Sequence, residues 1–231
     1  MTRAEHQRLK HDKFVEQVEH SVEYAAEHRK EVTRYGLIAL AVVVLGLAGW
    51  AYFNYAASKR QAELAEAMQV YNGTVGDANS PYVKSFKTAA DKDKAVVKTL
   101  SDLANKYSGN DEGIIARYYL GVTYADQAKF ADAEREWKEV IAKGNKNLAS
   151  QAKLSLAQLY AATGKPAEAE TLLRDLMNHP TILVSKEQAQ VELGRTLAKT
   201  NPAEARKLLE PLRTERSAVS RMALSALSEI R

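Results

Sequence analysis

The chain has 231 residues, a formal net charge of +4 and no cysteine, which removes disulfides, thiolate catalysis and cysteine-type zinc sites together. Residues 1–34 carry as many acidic as basic residues, so the surplus is spread over the remainder. It is too thin for the basic stripe that nucleic-acid binding demands, and no nucleic acid is expected as a partner.

The first predicted element is an amphipathic helix over residues 5–34. Val15, Val18, Val22 and Ala25 recur at alternating steps of three and four, flanked by Glu16, Glu19, Glu23 and Glu27. The seam is shorter than a coiled coil needs, so it suits either a solvated cytoplasmic helix or a docking seam.

Residues 35–58 follow, with no charge between Arg34 and Lys59. As a helix this run spans roughly 36 Å, enough for a hydrocarbon core of about 30 Å. Tyr35 at one end and Trp50, Tyr52 and Tyr55 at the other suit the interfacial aromatic belts, while Arg29, Lys30, Arg34, Lys59 and Arg60 reach the headgroups. A cleaved signal peptide has a shorter apolar region and a shorter leader, so the run reads as an uncleaved signal-anchor in a lipid bilayer. Three basic residues precede it and two follow, and long trailing domains are translocated largely regardless of charge. The expected orientation is therefore N-terminus in the cytoplasm and C-terminal domain outside, which in a bacterium means a single-pass inner-membrane protein with a periplasmic domain.

Beyond the run, Leu64, Met68 and Tyr71 continue a helical face until Asn72-Gly73 stops it, and residues 73–82 read as a loop. A helix returns over residues 91–107 through Val96, Val97, Leu100, Leu103 and Ala104. Then the pattern repeats. Leu120-Gly121 and Tyr124 recur as Leu156-Ala157 and Tyr160, and Ala133, Trp137 and Val140 recur as Ala169, Leu173 and Leu176, at one common shift. A third copy carries Leu193-Gly194, Ala205 and Leu209, with one residue fewer in its turn. Lys165-Pro166 and Asn201-Pro202 place proline at the first helical position, where its missing N–H costs nothing.

This spacing resembles the tetratricopeptide repeat, in which small residues let two helices approach and large ones fill between repeats. A single pair cannot bury its own apolar face, so such repeats stack. The expected fold is all-α: a single N-terminal transmembrane helix followed by a tetratricopeptide-like α-solenoid. Its parts are a cytoplasmic segment (1–34), the span (35–58), a connecting helix with a degenerate first pair (59–110), three repeats (111–214) and a capping helix (215–231).

No catalytic, cofactor or metal constellation emerges. His6, His11, His20 and His28 miss the spacing of three or four that puts ligands on one helical face, and His179 has no partner that the sequence identifies. Gly73-Thr-Val-Gly76 lacks the further glycine and the Lys-Ser/Thr ending of a phosphate loop. An enzyme is therefore not expected. The groove-lining places of the tetratricopeptide pattern, carried over relative to Gly121, Ala157 and Gly194, fall on Ile115, Tyr118, Val122, Leu154, Gln158, Val191 and Arg195. They read as an apolar groove with a polar end, although Val122 and Leu154 suit intra-repeat core as well. The lining departs from the Lys/Asn clamp for C-terminal carboxylates.

In order and size the whole plan, including the span ending in Gly-Trp-x-Tyr-Phe-Asn-Tyr, resembles the ancillary SecYEG translocon subunit (YfgM-type) family. The resemblance implies a bacterial inner-membrane protein beside the SecYEG translocon. Its partner would be a membrane-anchored periplasmic chaperone of the prolyl-isomerase type, and its clients unfolded exported proteins. The same parts suit a scaffold for envelope or cell-division complexes without chaperone activity.

Overall fold

The computed structural model describes residues 28–76, 83–214 and 218–230. The chain divides into two units, residues 1–58 and 59–231. Most of the segment expected as an amphipathic helix, residues 1–27, lies outside the described residues, as do His6, His11 and His20.

Helix α1 runs without a break over Arg29–Tyr71. Its 43 residues extend about 65 Å, and among the described residues it is the one helix long and apolar enough to cross a membrane. Within the first unit its apolar stretch is bare: Leu45 and Phe53 are each 72% exposed. A soluble core helix would bury such side chains, at about 1.5–3 kcal/mol each.

The second unit is helical throughout its core. The end of α1 is followed by two two-residue strands, β1 (Thr74–Val75) and β2 (Ser85–Phe86), paired in parallel. Seven helices follow: α2 (Ala89–Lys106), α3 (Asp111–Asp126), α4 (Phe130–Lys143), α5 (Lys146–Ala162), α6 (Pro166–Asn178), α7 (Lys186–Leu197) and α8 (Pro202–Leu209). A 3₁₀ turn over Glu210–Thr214 leads to α9 (Ala218–Ser228). The residues expected as a plain loop over 73–82 thus lead into a short ladder, with Thr74 N–H donating to the Lys84 carbonyl and Gly76 N–H to that of Phe86, both at 2.9 Å. Residue 73 must be glycine there, since a Cβ would stand 2.8 Å from the Lys84 carbonyl oxygen. Residues 77–82 themselves lie outside the described residues.

Each helix from α2 to α8 packs on the next, so the chain reverses at every turn and builds antiparallel pairs. Two apolar clusters hold them. Ala67 and Val70 of α1, Leu100 and Leu103 of α2 and Leu120 of α3 form one. The other runs from Ile114 to Ile230 and includes Trp137, Leu173, Leu193 and Leu209. Local chemistry sets the ends. Asn145 caps α5 by accepting from the N–H groups of Asn147 and Leu148, Ser185 caps α7 and Asn201 caps α8. Pro166 and Pro202 open α6 and α8. Ala128 (φ 56°) and Gly164 (φ 80°) take the left-handed conformation at equivalent places in the first two turns. In both, the next residue's N–H reaches back 2.8 Å, Lys129 to the Tyr124 carbonyl and Lys165 to that of Tyr160.

Candidate protein-binding surface

The first helices of the pairs, α3, α5 and α7, contact one another in sequence. Gly121 and Gly194 set the register. A Cβ at Gly121 would lie 2.6 Å from the indole nitrogen of Trp137, and one at Gly194 would lie 2.6 Å from Leu209. Each second helix therefore seats against its first at a fixed height, which fixes the side chains the first helix offers outward.

The seven expected groove residues separate into two groups. Ile115, Tyr118 and Val122 of α3 are half-buried, Arg195 of α7 is half-buried, and Gln158 of α5 is exposed. Leu154 and Val191 are not groove residues: they are 3% and 0% exposed and belong to the main apolar cluster. Where neighbouring first helices meet, a large apolar side chain at this register is covered by the adjacent repeat. Residues absent from the expected set take part instead. The Tyr118 hydroxyl lies 3.1 Å from Ser155 Oγ and accepts from Gln151 Nε2 at 3.2 Å, so one phenol bridges α3 to α5. Its ring stands edge-on to Tyr119, centroids 5.4 Å apart, and Tyr119 in turn meets Tyr71 at 5.0 Å.

At the other end of the face, Gln158 and Arg195 line one depression of about 370 Å³ together with Glu192, Lys199 and Glu229. Arg195 is only loosely committed inside the protein. Its Nη1 donates to Glu192 Oε1 at a long 3.4 Å, and its buried Nε has no hydrogen-bond partner. Lys199, two residues past the end of α7, has no ion-pair partner among the described residues. Two cations and two carboxylates balance, so the depression offers donors and acceptors without a net charge. Lys199 was legible as the residue four beyond Arg195. Glu229 was not, because it arrives from beyond α9.

A second depression, of about 390 Å³, lies between Tyr71, Asp93, Thr123 and Asp126. Desolvation, with the Asp126 carboxylate next, raises the Tyr71 phenol above its ordinary value, so it stays a neutral donor. Among the described residues no three His, Cys, Asp or Glu side chains gather where they could hold a metal ion. His179 stacks its Nδ1 against the Asp175 carboxylate at 3.0 Å.

Against known families, residues 29–210 match the model of a tetratricopeptide repeat-like domain. The chain belongs to this family. No curated protein and no solved structure matches it. Tetratricopeptide repeat-like arrays are in general non-catalytic modules for protein–protein interaction. With Leu154 and Val191 set in the core, the face of α3, α5 and α7 offers more polar groups than apolar ones.

Proposed function

We propose that the chain is a membrane-anchored, non-catalytic protein-binding module that assists exported proteins at the SecYEG translocon of a bacterial inner membrane. It works together with a membrane-anchored periplasmic chaperone of the prolyl-isomerase type. One observation supports the anchored, protein-binding part of this reading: a single family model runs from residue 29 to residue 210 and so takes the apolar helix and the repeats as one unit. An array tied to the bilayer beside a channel works at high effective concentration, of millimolar order for short tethers, so contacts of modest affinity suffice. The phenol of Tyr118, the amides of Gln151 and Gln158 and the loosely held guanidinium of Arg195 suit the main chain and polar side chains of an extended client.

Co-purification in a mild detergent tests the placement: translocon subunits and the chaperone should come with the chain. Alkaline phosphatase fused after Arg231 should be active, and an active cytoplasmic reporter there would overturn both the orientation and the export role. A second reading, a scaffold for envelope or cell-division complexes, is favoured by the burial of Leu154 and Val191. A less apolar face suits a folded partner better than an unfolded one. Recovery of division or envelope proteins in place of the translocon would decide for it.

A further inference from the structure

The junction between α6 and α7 is the odd one of the array. Two residues, Gly144 and Asn145, turn α4 into α5, whereas His179 to Ser185 intervene here. Within that stretch Thr181 and Val184 close a tight turn. Thr181 N–H donates to the Val184 carbonyl at 2.9 Å, and Val184 N–H donates to Thr181 Oγ1 at 3.2 Å. The turn is fastened at both feet: Val184 is fully buried, and Thr181 Oγ1 lies 2.6 Å from Ser150 Oγ of α5. At its tip stand Ile182, 91% exposed, and Leu183, 46% exposed. Turn tips are ordinarily polar or glycine-rich. Ile182 is more exposed than any large apolar residue of the candidate span, yet a built turn holds it in place.

A chain of contacts inside the second unit says which edge this tip occupies. Arg60 Nε donates to Glu112 at 3.2 Å, Lys106 pairs with Glu63 at 2.7 Å, and Asn145 Nδ2 reaches Asp111 at 3.5 Å. Ser150, on the turn of α5 that follows Asn145, holds Thr181. The turns at 107–110, 144–145 and 179–185 therefore share the edge that begins at Lys59, the residue through which the unit joins the apolar run. Lys146 and Lys186 flank the tip, exposed and without ion-pair partners. The hydrogen bonds of the nearby carboxylates go elsewhere, those of Glu187 to its own N–H and the Ser185 hydroxyl with only the charge of Lys186 acting on it, and those of Asp175 to Lys153.

We propose that Ile182 and Leu183 insert into the interfacial layer of an anionic lipid bilayer, with Lys146 and Lys186 against its headgroups. Aliphatic tips beside exposed cations are what an anionic bilayer surface recognises, at an insertion depth of about 5–10 Å. A second copy of the chain is the poorer occupant, since two side chains fall far short of the roughly 800 Å² per partner that a stable protein interface needs. The contact would give the array a second hold on the membrane and so restrict how it swings about its anchor. This proposal rests on reading residues 35–58 as a span.

The chain has no native cysteine, so single cysteines report cleanly. The full chain is reconstituted in phosphatidylethanolamine vesicles containing about a quarter phosphatidylglycerol, with an environment-sensitive fluorophore at Ile182→Cys, Leu183→Cys, Ala167→Cys or Leu45→Cys. Ala167, exposed at the start of α6, sits on the opposite edge, and Leu45 reports insertion of the span. Lipids carrying a spin label near the headgroup should quench positions 182 and 183 roughly two-fold and leave 167 unchanged, lipids labelled deep in the acyl chain should quench 45, and the double change Lys146→Gln and Lys186→Gln should weaken the quenching at 182 and 183. If 45 is quenched while 182 and 183 are as open to aqueous iodide as 167, the proposal falls and the span stands. If 45 is not quenched, the span reading falls and the proposal with it. Shielding from iodide without lipid quenching, with self-quenching that grows with protein density, assigns the tip to a second copy and also overturns the proposal.

Discussion

Gly121 and Trp137 meet as backbone against ring: the indole nitrogen would stand 2.6 Å from a Cβ on the glycine, and its N–H donates to the Tyr118 carbonyl at 3.2 Å. The ring cannot swing aside without losing that bond. Alanine at position 121 improves helix propensity by about 1 kcal/mol, but overpacking costs about 1–3 kcal/mol. Gly121→Ala should therefore destabilise residues 59–231 by up to about 2 kcal/mol. Trp137→Ala, which empties a site 4% exposed, should cost about 3–5 kcal/mol. Denaturant unfolding followed by circular dichroism measures both, and an unchanged midpoint for the tryptophan variant would count against the packing described.

The turns make a second pair. Ala128 and Gly164 both hold positive φ, yet only glycine does so without a steric penalty. Gly164→Ala should destabilise by about 1 kcal/mol. Ala128→Gly should be neutral or stabilise by a few tenths of a kcal/mol, the relief of strain being partly offset by a more flexible unfolded chain. Opposite signs at equivalent positions are the expected result, and thermal melts of the two variants side by side check it.

Carboxylates that bind successive helices together give the stability an acid limb. The Lys153 ammonium, with His179 adding, holds the Asp175 carboxyl below its ordinary 3.8. The Lys138 ammonium first, and then the Tyr160 hydroxyl, hold Glu134 below 4.5. A carboxyl depressed in the folded state stabilises fully above its unfolded value, and that contribution is lost as pH falls through the folded value. Stability should thus fall from about pH 5 downward, and Asp175→Asn should flatten part of that fall. Urea midpoints taken across this range test the sign. An unaltered slope in the variant would show that the Lys153 pair does not couple to folding.

The helix pairs were legible because they depend on residues that only one packing explains: small at 121, 157 and 194, large at 137, 173 and 209, with Pro166 and Pro202 marking starts. The two-residue strands were not, because Thr74–Val75 and Ser85–Phe86 are too short to show a period of two and pair across ten residues. Nor was the Thr181–Val184 turn, since Ile-Leu-Val reads as ordinary core until the hydrogen bonds place two of the three outside. The groove was legible by half. Sequence register assigns a helix face, but whether a residue on it stays open depends on how closely the next repeat approaches. Leu154 and Val191 are closed off by that approach, while Gln158 and Arg195 sit nearer the helix ends, where the face opens.

The burial of Leu154 also dictates how the binding surface is tested. Leu154→Asp would place a carboxylate at a site 3% exposed, and lost binding would then report only unfolding. Gln158→Ala with Arg195→Ala removes the depression's amide and guanidinium instead, at positions that carry no core packing. Hydrogen bonds from a neutral and a charged group are worth about 1 and 1.5–3 kcal/mol, so affinity for a destabilised exported client should fall at least about ten-fold. Lys207→Ala, exposed on α8 and away from the depression, should leave binding unchanged. Fluorescence anisotropy with a labelled, permanently unfolded client gives the affinities, and circular dichroism confirms that helicity is kept. Should the double variant bind the client as tightly as the parent chain while remaining folded, the face of α3, α5 and α7 is not where clients sit. Retained binding of a folded envelope partner by the same variant would then move the site to the second helices, α4, α6 and α8, whose outer faces carry most of the array's exposed ion pairs.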